Sequence, residues 1–479
     1  MGVAGLSRVV AVFSVIVVVV AIAAFFGGMY VGRPGAQAPA IQTVTIGSTV
    51  TVTRTITQTV MQTPTTPTQT QPSTPPISLP SKIVLGLAIP LSGRQAEEGK
   101  KGFWGIMAAV KWVNEVYGGV NLYGKKIPLE VKYYDDESKK ENVISYTERL
   151  ITVDKVHFLL SSYTSALVFA QATVAEKYKM LLVNVGGGSD TINQQGYKYI
   201  VSLWTPASRW MWMVYDALKS IDPGAKKISI LYADDEGCRI LGGGASAKAK
   251  ELGFNVVYEK VYPAVINDFS PYITDLAKSG ADALIVCAHL VNGQLFTKQL
   301  ADAGVNFKLI AINPAPCIPS YYDALKILAE GIVCPSQWEP GVKYTPDLAK
   351  KMGVEWFGPT SDEFLPLLRS VTGDPNFMPS YHTGAGAAGV LLLVRAIELA
   401  QSLDPTAVRE AFNKLRAMTL FGLFEIDPVT GMQIAHEMVL GQWQNGRFVV
   451  VWPPDVAEKK LYYPLPTWDE KKAGKTASY

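Results

Sequence analysis

Between Lys82 and Ser336 the chain alternates short apolar runs with segments of helical period. The runs that read as strands are "KIVLGLAIP" (82–90), "IPLEVKYYDD" (127–136), "VHFLLSS" (156–162), "MLLVNVG" (180–186), "KISILYAD" (227–234), "FNVVYEKVY" (254–262), "ALIVCAH" (283–289), "FKLIAIN" (307–313) and "GIVCPS" (331–336). Helix candidates lie between them. In "GFWGIMAAVKWVNEVY" the residues Phe103, Met107, Val110, Val113 and Val116 recur near helical spacing, which predicts an amphipathic helix. Apolar strands suit burial on both faces, and their alternation with helices predicts parallel sheets covered on both sides. About 400 residues follow Lys82, more than one core accommodates, so two lobes are expected.

Ligands of such sheets bind beyond the carboxyl ends of the strands. The strand-to-helix loops there are "PLSGRQAEEG", "SSYTSAL" and "NVGGGSDT". Small residues let a ligand approach backbone, and outward N–H groups at a helix start make an anion site. Ser161 and Ser162 then either hold a carboxylate or cap the following helix; the residues alone leave both open.

The N-terminal pattern is different. Val9 to Val31 carries no charge over 23 residues, enough to cross about 30 Å of hydrocarbon as a helix. An uncleaved anchor is expected, with cleavage within "GRPGAQAPA" as the alternative. Arg8 before the span leans toward a cytoplasmic N-terminus and an outside body. Fourteen of the 32 residues from Thr43 to Thr74 are Thr, and six prolines lie between Pro64 and Pro80. Such a stretch cannot bury enough apolar surface to offset the entropy of ordering it, so it reads as an extended, disordered stalk. The expected division is therefore 1–8 as a short leader, 9–31 as a membrane span and 32–81 as stalk. No Asn-x-Ser/Thr acceptor for N-glycosylation occurs.

Charge excludes one class of partner. Net charge is +3, from 44 basic and 41 acidic side chains with no Lys/Arg stripe, which leaves no footprint for nucleic acid. The cysteines, Cys238, Cys287, Cys317 and Cys334, form no C-x-x-C pair, so no metal or other cofactor is expected. Cys317 and Cys334 follow two apolar runs and read either as a disulfide or as two buried thiols. "GGGASA" (242–247) fits G-x-G-x-x-A but is separated from its strand, which argues against a dinucleotide site. No G-x-S-x-G occurs, and no acid–base pair stands out, so no enzyme activity is expected.

Several segments, in order from Lys82 to Trp468, carry a resemblance: "KIVLGLAIPLSG", "YYDDES", "FLLSSYTSA", "LLVNVGGGSD", "DFSPYITDLAKSGADALIV" and "GQWQNGRFVVVWPPDVA". The chain resembles the periplasmic-binding-protein family that includes the leucine/isoleucine/valine-binding proteins. That resemblance implies the type I periplasmic binding fold: two α/β lobes, each a doubly wound parallel sheet, joined by three hinge crossings near Trp204, Ser336 and Gly441. Lobe 1 is then 82–203 plus 337–438, and lobe 2 is 204–336 plus 439–479. The implied function is the extracellular substrate-binding component of an ABC importer. It would be anchored at the cell surface and close on a small polar solute, an amino acid first, before docking on a permease with its ATPase. A receptor or sensor with the same lobes, or a binder of amides or other small carboxylates, is the alternative. With no second membrane span or signalling domain before Tyr479, transport is the first expectation.

The resemblance also implies residues. Ser161 or Ser162, with Tyr163 and Thr164, would hold the ligand carboxylate; Gly187 and Ser189 would complete that site, and Tyr381 would line the cleft. His289 matches a cleft tyrosine approximately. The acid expected against a ligand ammonium falls near Asn313 or Pro314, both neutral. Glu98, Asp235 or Glu236 would substitute, or the neutral Asn313 would suit a ligand without ammonium.

Overall fold

The structure, a computed structural model, describes residues 79–476. The predicted membrane span and nearly all of the predicted stalk lie outside the described residues.

The first part of the chain runs β1 (Ile83–Ile89), α1 (Ala96–Lys111), a small hairpin β2 (Val120–Leu122) and β3 (Lys125–Ile127), β4 (Leu129–Asp135), α2 (Lys140–Thr152), β5 (Phe158–Leu160), α3 (Ser165–Tyr178), β6 (Leu182–Asn184) and β7 (Ile200–Ser202). Its sheet has the order β4-β1-β5-β6-β7 and is wholly parallel. Strands β5 and β6 are buried at every position, as a sheet covered on both faces requires.

The second part runs α4 (Trp212–Ile221), β8 (Lys227–Ala233), α5 (Glu236–Glu251), β9 (Asn255–Tyr262), α6 (Ser270–Ser279), β10 (Ala283–Ala288), α7 (Leu290–Asp302), β11 (Leu309–Pro314), α8 (Pro319–Leu325) and β12 (Val333–Ser336). The remainder comprises α9 (Pro346–Lys351), β13 (Glu355–Trp356), α10 (Ser361–Thr372), α11 (Tyr381–Ala400), α12 (Pro405–Phe412), β14 (Ala417–Thr419), β15 (Gly422–Phe424), β16 (Val439–Gln444), β17 (Arg447–Trp452) and α13 (Trp468–Lys472).

The second sheet has the order β17-β16-β12-β11-β10-β8-β9. Its β8 to β12 are parallel, but β16 joins β12 antiparallel and β17 joins β16 antiparallel. The parallel sheets expected from the sequence are present, with two antiparallel strands added at one edge of the second. Asn445-Gly446, with Asn445 at φ +52° and Gly446 at φ +76°, joins those two strands as a tight hairpin.

Two large apolar cores result, with a smaller third cluster around Leu150, Leu159 and Val168. Ile83, Leu85, Phe158, Val183 and Leu391 belong to one, and Ile230, Val286, Phe296, Ile312 and Val333 to the other. The chain passes between the cores after Trp204, between Val333 and Trp338, and between Val439 and Leu440. Trp210 packs against both. Among the described residues only α11 is long and apolar enough to cross a membrane, and it is largely buried inside the first core. Its small residues permit that: a Cβ on Gly386 would lie 2.4 Å from the Gly102 carbonyl oxygen of α1.

Disulfides Cys238–Cys287 and Cys317–Cys334 complete the second part. The first of these pairs had no signal in the sequence. It ties the start of α5 to the end of β10, residues brought together by the parallel β8–β10 pairing.

Candidate functional site

The loops at the carboxyl ends of both sheets converge where the chain crosses between cores. On the first sheet the "SSYTS" loop is fixed from within. Ser161 and Ser162 are buried. The Ser161 hydroxyl donates to the Ser162 carbonyl at 3.0 Å and accepts the Val185 N–H at 3.0 Å. Ser162 Oγ donates to Asp136 Oδ2 at 2.6 Å, and its N–H donates to Gln171 Oε1 at 2.7 Å. Burial lifts the Asp136 carboxyl to about 6, against hydrogen bonds from Ser162 and the Ser138 N–H. Both hydroxyls are thus engaged by protein groups, those of neighbouring loops included, and neither caps α3. The residue at that cap is Thr164, which makes no side-chain cap hydrogen bond. Among the described residues, no N-cap side chain accepts from the first N–H groups of α3.

The glycines of "VGGGSD" serve packing. A Cβ on Gly186 would lie 2.0 Å from the Ser162 carbonyl oxygen, and one on Gly188 would lie 2.4 Å from the Trp210 ring. Gly187 is held at both backbone groups by Asn184. Ser189 and Thr191 reach across to the second sheet: their hydroxyls lie 3.1 and 2.9 Å from Glu236 Oε1. Glu236 is the first residue of α5, so its carboxylate is already occupied by hydroxyls from the opposite loop.

On the second sheet Asp235 caps α5, accepting the Cys238 N–H at 2.9 Å, and its other oxygen lies 3.3 Å from His289 Nε2. Burial opposes ionisation of Asp235, but His289 and the Cys238 N–H outweigh it and hold the carboxyl below its ordinary value. His289 itself is exposed. Asp235, Cys238 and His289 lie within 4.8 Å of one another, but the Cys238 sulfur is bonded to Cys287 and offers no thiolate to a metal. Asn313 is buried and donates to the Pro335 carbonyl at 2.7 Å, and its Oδ1 has no hydrogen-bond partner among the described residues.

An aromatic group fills the crossing side. His382 stacks on Tyr381, with centroids 4.1 Å apart, and meets Tyr163 edge-on at 4.7 Å; Trp204 meets Tyr381 edge-on at 5.4 Å. Burial pulls His382 down to about 3, with Lys101 adding to the effect, so its ring is neutral. Burial also pushes the Tyr163 and Tyr381 hydroxyls up. Among the described residues, Trp204 Nε1 and His382 Nε2 have no hydrogen-bond partner. Glu98, in the first turn of α1, is raised by burial and adds to the upward shifts of both tyrosines.

Beside this group lies a cavity of about 440 Å³, lined from the first core by Lys101 and Ser380, from the second by Tyr322 and Trp443, and from the second crossing by Glu339. Trp204, His382 and Glu339 were not legible as site residues in the sequence. Each sits where chain crossing and helix packing decide its neighbours.

The sequence profile of the periplasmic binding protein family matches residues 82–447, and the chain belongs to that family. Among curated proteins it is similar to Leu/Ile/Val-binding protein homolog 7 of Brucella suis, with 24% identity over 393 residues, covering 80% of this chain and 94% of the relative. Among solved structures it is similar to the branched-chain amino acid transporter substrate-binding protein LivJ of Streptococcus pneumoniae in complex with isoleucine (TM-score 0.60, 20% identity, 78% of this chain and 100% of that one). It is also similar to a solute-binding protein of an ABC transporter from Rhodopseudomonas palustris in complex with p-hydroxybenzoic acid (TM-score 0.61, 21% identity, 82% and 100%).

Proposed function

We propose that the chain is the substrate-binding component of an ABC importer, held outside the cell by its N-terminal span and binding a small carboxylate-bearing solute without transforming it. The observation that carries this reading is the meeting of two sheets' carboxyl ends across three chain crossings, with a cavity lined from both cores. We assign 82–203 plus 337–438 to one lobe and 204–336 plus 439–479 to the other, closing by rotation about the crossings. A permease and an ATPase are the partners.

The uncapped start of α3, at Thr164, supplies N–H groups for a carboxylate. Tyr163, Tyr381 and Trp204 supply apolar walls, and Glu98 a polar flank. Ser161, Ser162 and Gly187 act as scaffold, and Ser189 as a latch on Glu236. An amino acid is the first ligand class, as in the isoleucine complex of LivJ. The aromatic group and the neutral Asn313 favour an aromatic acid as the second reading, as in the p-hydroxybenzoic acid complex. Deleting the gene should abolish cellular uptake of whichever solute the purified chain binds. Unchanged uptake would favour the sensor reading instead.

A further inference from the structure

We propose that Asp235, Cys238, Cys287 and His289 form a thiol-gated site for a divalent cation of the zinc class, shut while Cys238 and Cys287 are joined and open once they are reduced. The site does not depend on which solute the cleft binds.

The four residues come as two short pairs. Asp235 is the N-cap of α5 and Cys238 stands in its first turn. Cys287 lies at the end of β10, and His289 is the N-cap of α7. Strand β8 pairs with β10 in parallel, with Tyr232 beside Cys287, so both pairs leave the same end of the sheet side by side. The spacing D-x-x-C matches the close pairing of ligands in zinc sites. Cys287 and His289 are two residues apart in extended backbone, with His289 at φ −68° and ψ 166°, so their side chains share a face.

The ligand atoms are already gathered. A carboxylate oxygen of Asp235, the Cys238 sulfur and a ring nitrogen of His289 lie within 4.8 Å of one another. Asp235 Oδ2, the atom 3.3 Å from His289 Nε2, is buried, and no donor among the described residues reaches it in hydrogen-bond geometry. Asp235 Oδ1 accepts the Cys238 N–H at 2.9 Å, which fixes the carboxylate as hydrogen bonds fix metal-ligating carboxylates. The fourth ligand, the Cys287 sulfur, is bonded to Cys238 across Cα atoms 5.4 Å apart. With metal–sulfur bonds of about 2.3 Å, two sulfurs of a tetrahedral site stand roughly 3.8 Å apart, a separation within reach of side-chain rotation from that backbone spacing.

The neighbouring acids are engaged elsewhere. Glu236 receives the Ser189 and Thr191 hydroxyls, and Asp234 accepts from Arg239 at 2.6 Å. Two thiolates, an imidazole and one carboxylate suit zinc-class cations, whereas calcium and magnesium take oxygen ligands. Both sulfurs are buried, but His289 is exposed and gives the cation an entry from solvent.

Opening the site takes two electrons and two protons. A dithiol reductant breaks the Cys238–Cys287 bond through a mixed disulfide and leaves as its own disulfide; with both sulfurs buried, that exchange waits on local opening. The two thiols lose their protons as the cation binds and two metal–sulfur bonds form. In oxidising surroundings the disulfide stands and the site is shut.

The test uses the full chain in detergent with Cys317→Ser and Cys334→Ser, so that only one pair can be reduced. It is reduced with dithiothreitol, freed of the reductant under nitrogen and titrated with Co²⁺. One Co²⁺ per chain should bind, with thiolate charge-transfer and tetrahedral d–d absorption that Zn²⁺ then removes. The oxidised chain should show neither band, and adding His289→Ala should weaken binding by about tenfold or more. No tetrahedral spectrum in the reduced chain, the same spectrum in the oxidised chain, or unchanged affinity with His289→Ala would overturn the site. Should the reduced chain fold poorly, its melting decides. Zn²⁺ should raise the melting temperature of the reduced chain and raise it less with His289→Ala, and equal curves with and without Zn²⁺ would contradict the assignment.

Discussion

Gln337 and Thr205 are joined by two hydrogen bonds across two different chain crossings. The Thr205 N–H donates to Gln337 Oε1 at 3.0 Å, and Gln337 Nε2 donates to the Thr205 carbonyl at 3.2 Å. The third strand of the connection joins them: Thr205 Oγ1 donates to the His436 carbonyl at 2.8 Å, and His436 Nε2 lies 2.9 Å from the Gln337 carbonyl. Since a carbonyl only accepts, His436 carries its proton on Nε2. The three segments between the cores are thereby fixed to one another at a point where all three residues are buried.

Gln337→Ala strands the buried Thr205 N–H, while the Thr205 carbonyl still accepts the Trp210 Nε1–H at 2.6 Å. An unsatisfied buried group costs about 1–3 kcal/mol, so urea unfolding of the variant should show a loss in that range. A loss within experimental error would mean that water reaches the crossings freely.

How much of this was legible beforehand depended on whether a feature was local. Each of the nine apolar runs overlaps a strand, because burial on both faces leaves a local mark in Val, Ile and Leu. The hairpin β16–β17 was also readable in principle from Asn445-Gly446 between apolar runs. The chemistry was less so. "SSYTS" suggested free hydroxyls, but Asp136 and Val185 arrive from other loops and take them. Glu339 gained its place only through the crossing that sets it between the cores.

Ser161→Ala with Ser162→Ala separates scaffold from contact. The double variant removes the hydrogen bond to buried Asp136 and the acceptor of the Val185 N–H, and should lose about 2–4 kcal/mol of stability. Calorimetric titration at low temperature, where the variant stays folded, should find ligand affinity within a few-fold of wild type. A hundredfold loss would return these hydroxyls to the ligand.

The stability contributed by two buried imidazoles should be lost as the medium is acidified from pH 6.5 to pH 4. Burial holds His436 down to about 4 and His382 to about 3, whereas an unfolded imidazole titrates near about 6.5. In that window the unfolded chain binds more protons, so stability rises with pH and is lost on acidification. Asp136 acts in the opposite sense. Its folded value of about 6 lies above the ordinary 3.8, so its contribution falls as pH rises between them. Glu339, lifted from 4.5 to about 8, acts in the same sense as Asp136. The imidazole contribution is therefore isolated by difference: between pH 7 and 4.5, His436→Gln should lose less stability on acidification than the wild type, and equal losses would contradict the role of His436.

The two disulfides should differ in worth. Cys238–Cys287 spans 49 residues and Cys317–Cys334 spans 17. On loop-closure entropy both contribute about 3–4 kcal/mol, the longer loop by roughly 1 kcal/mol more. Melting of Cys238→Ser/Cys287→Ser and Cys317→Ser/Cys334→Ser variants checks the order, and a larger loss from the second pair would contradict it.

The most direct measurement is the melting temperature of the full chain against saturating amounts of amino acids and aromatic acids, each at increasing concentration. A ligand that binds only the native state at a hundred times its Kd adds about 2.7 kcal/mol. At least one compound should raise the melting temperature in a saturable, single-site manner. Tyr381→Ala should abolish that rise while the ligand-free variant still melts cooperatively. If no compound raises it, or if the rise survives intact in Tyr381→Ala, the cleft between the two cores is not where this protein binds its solute.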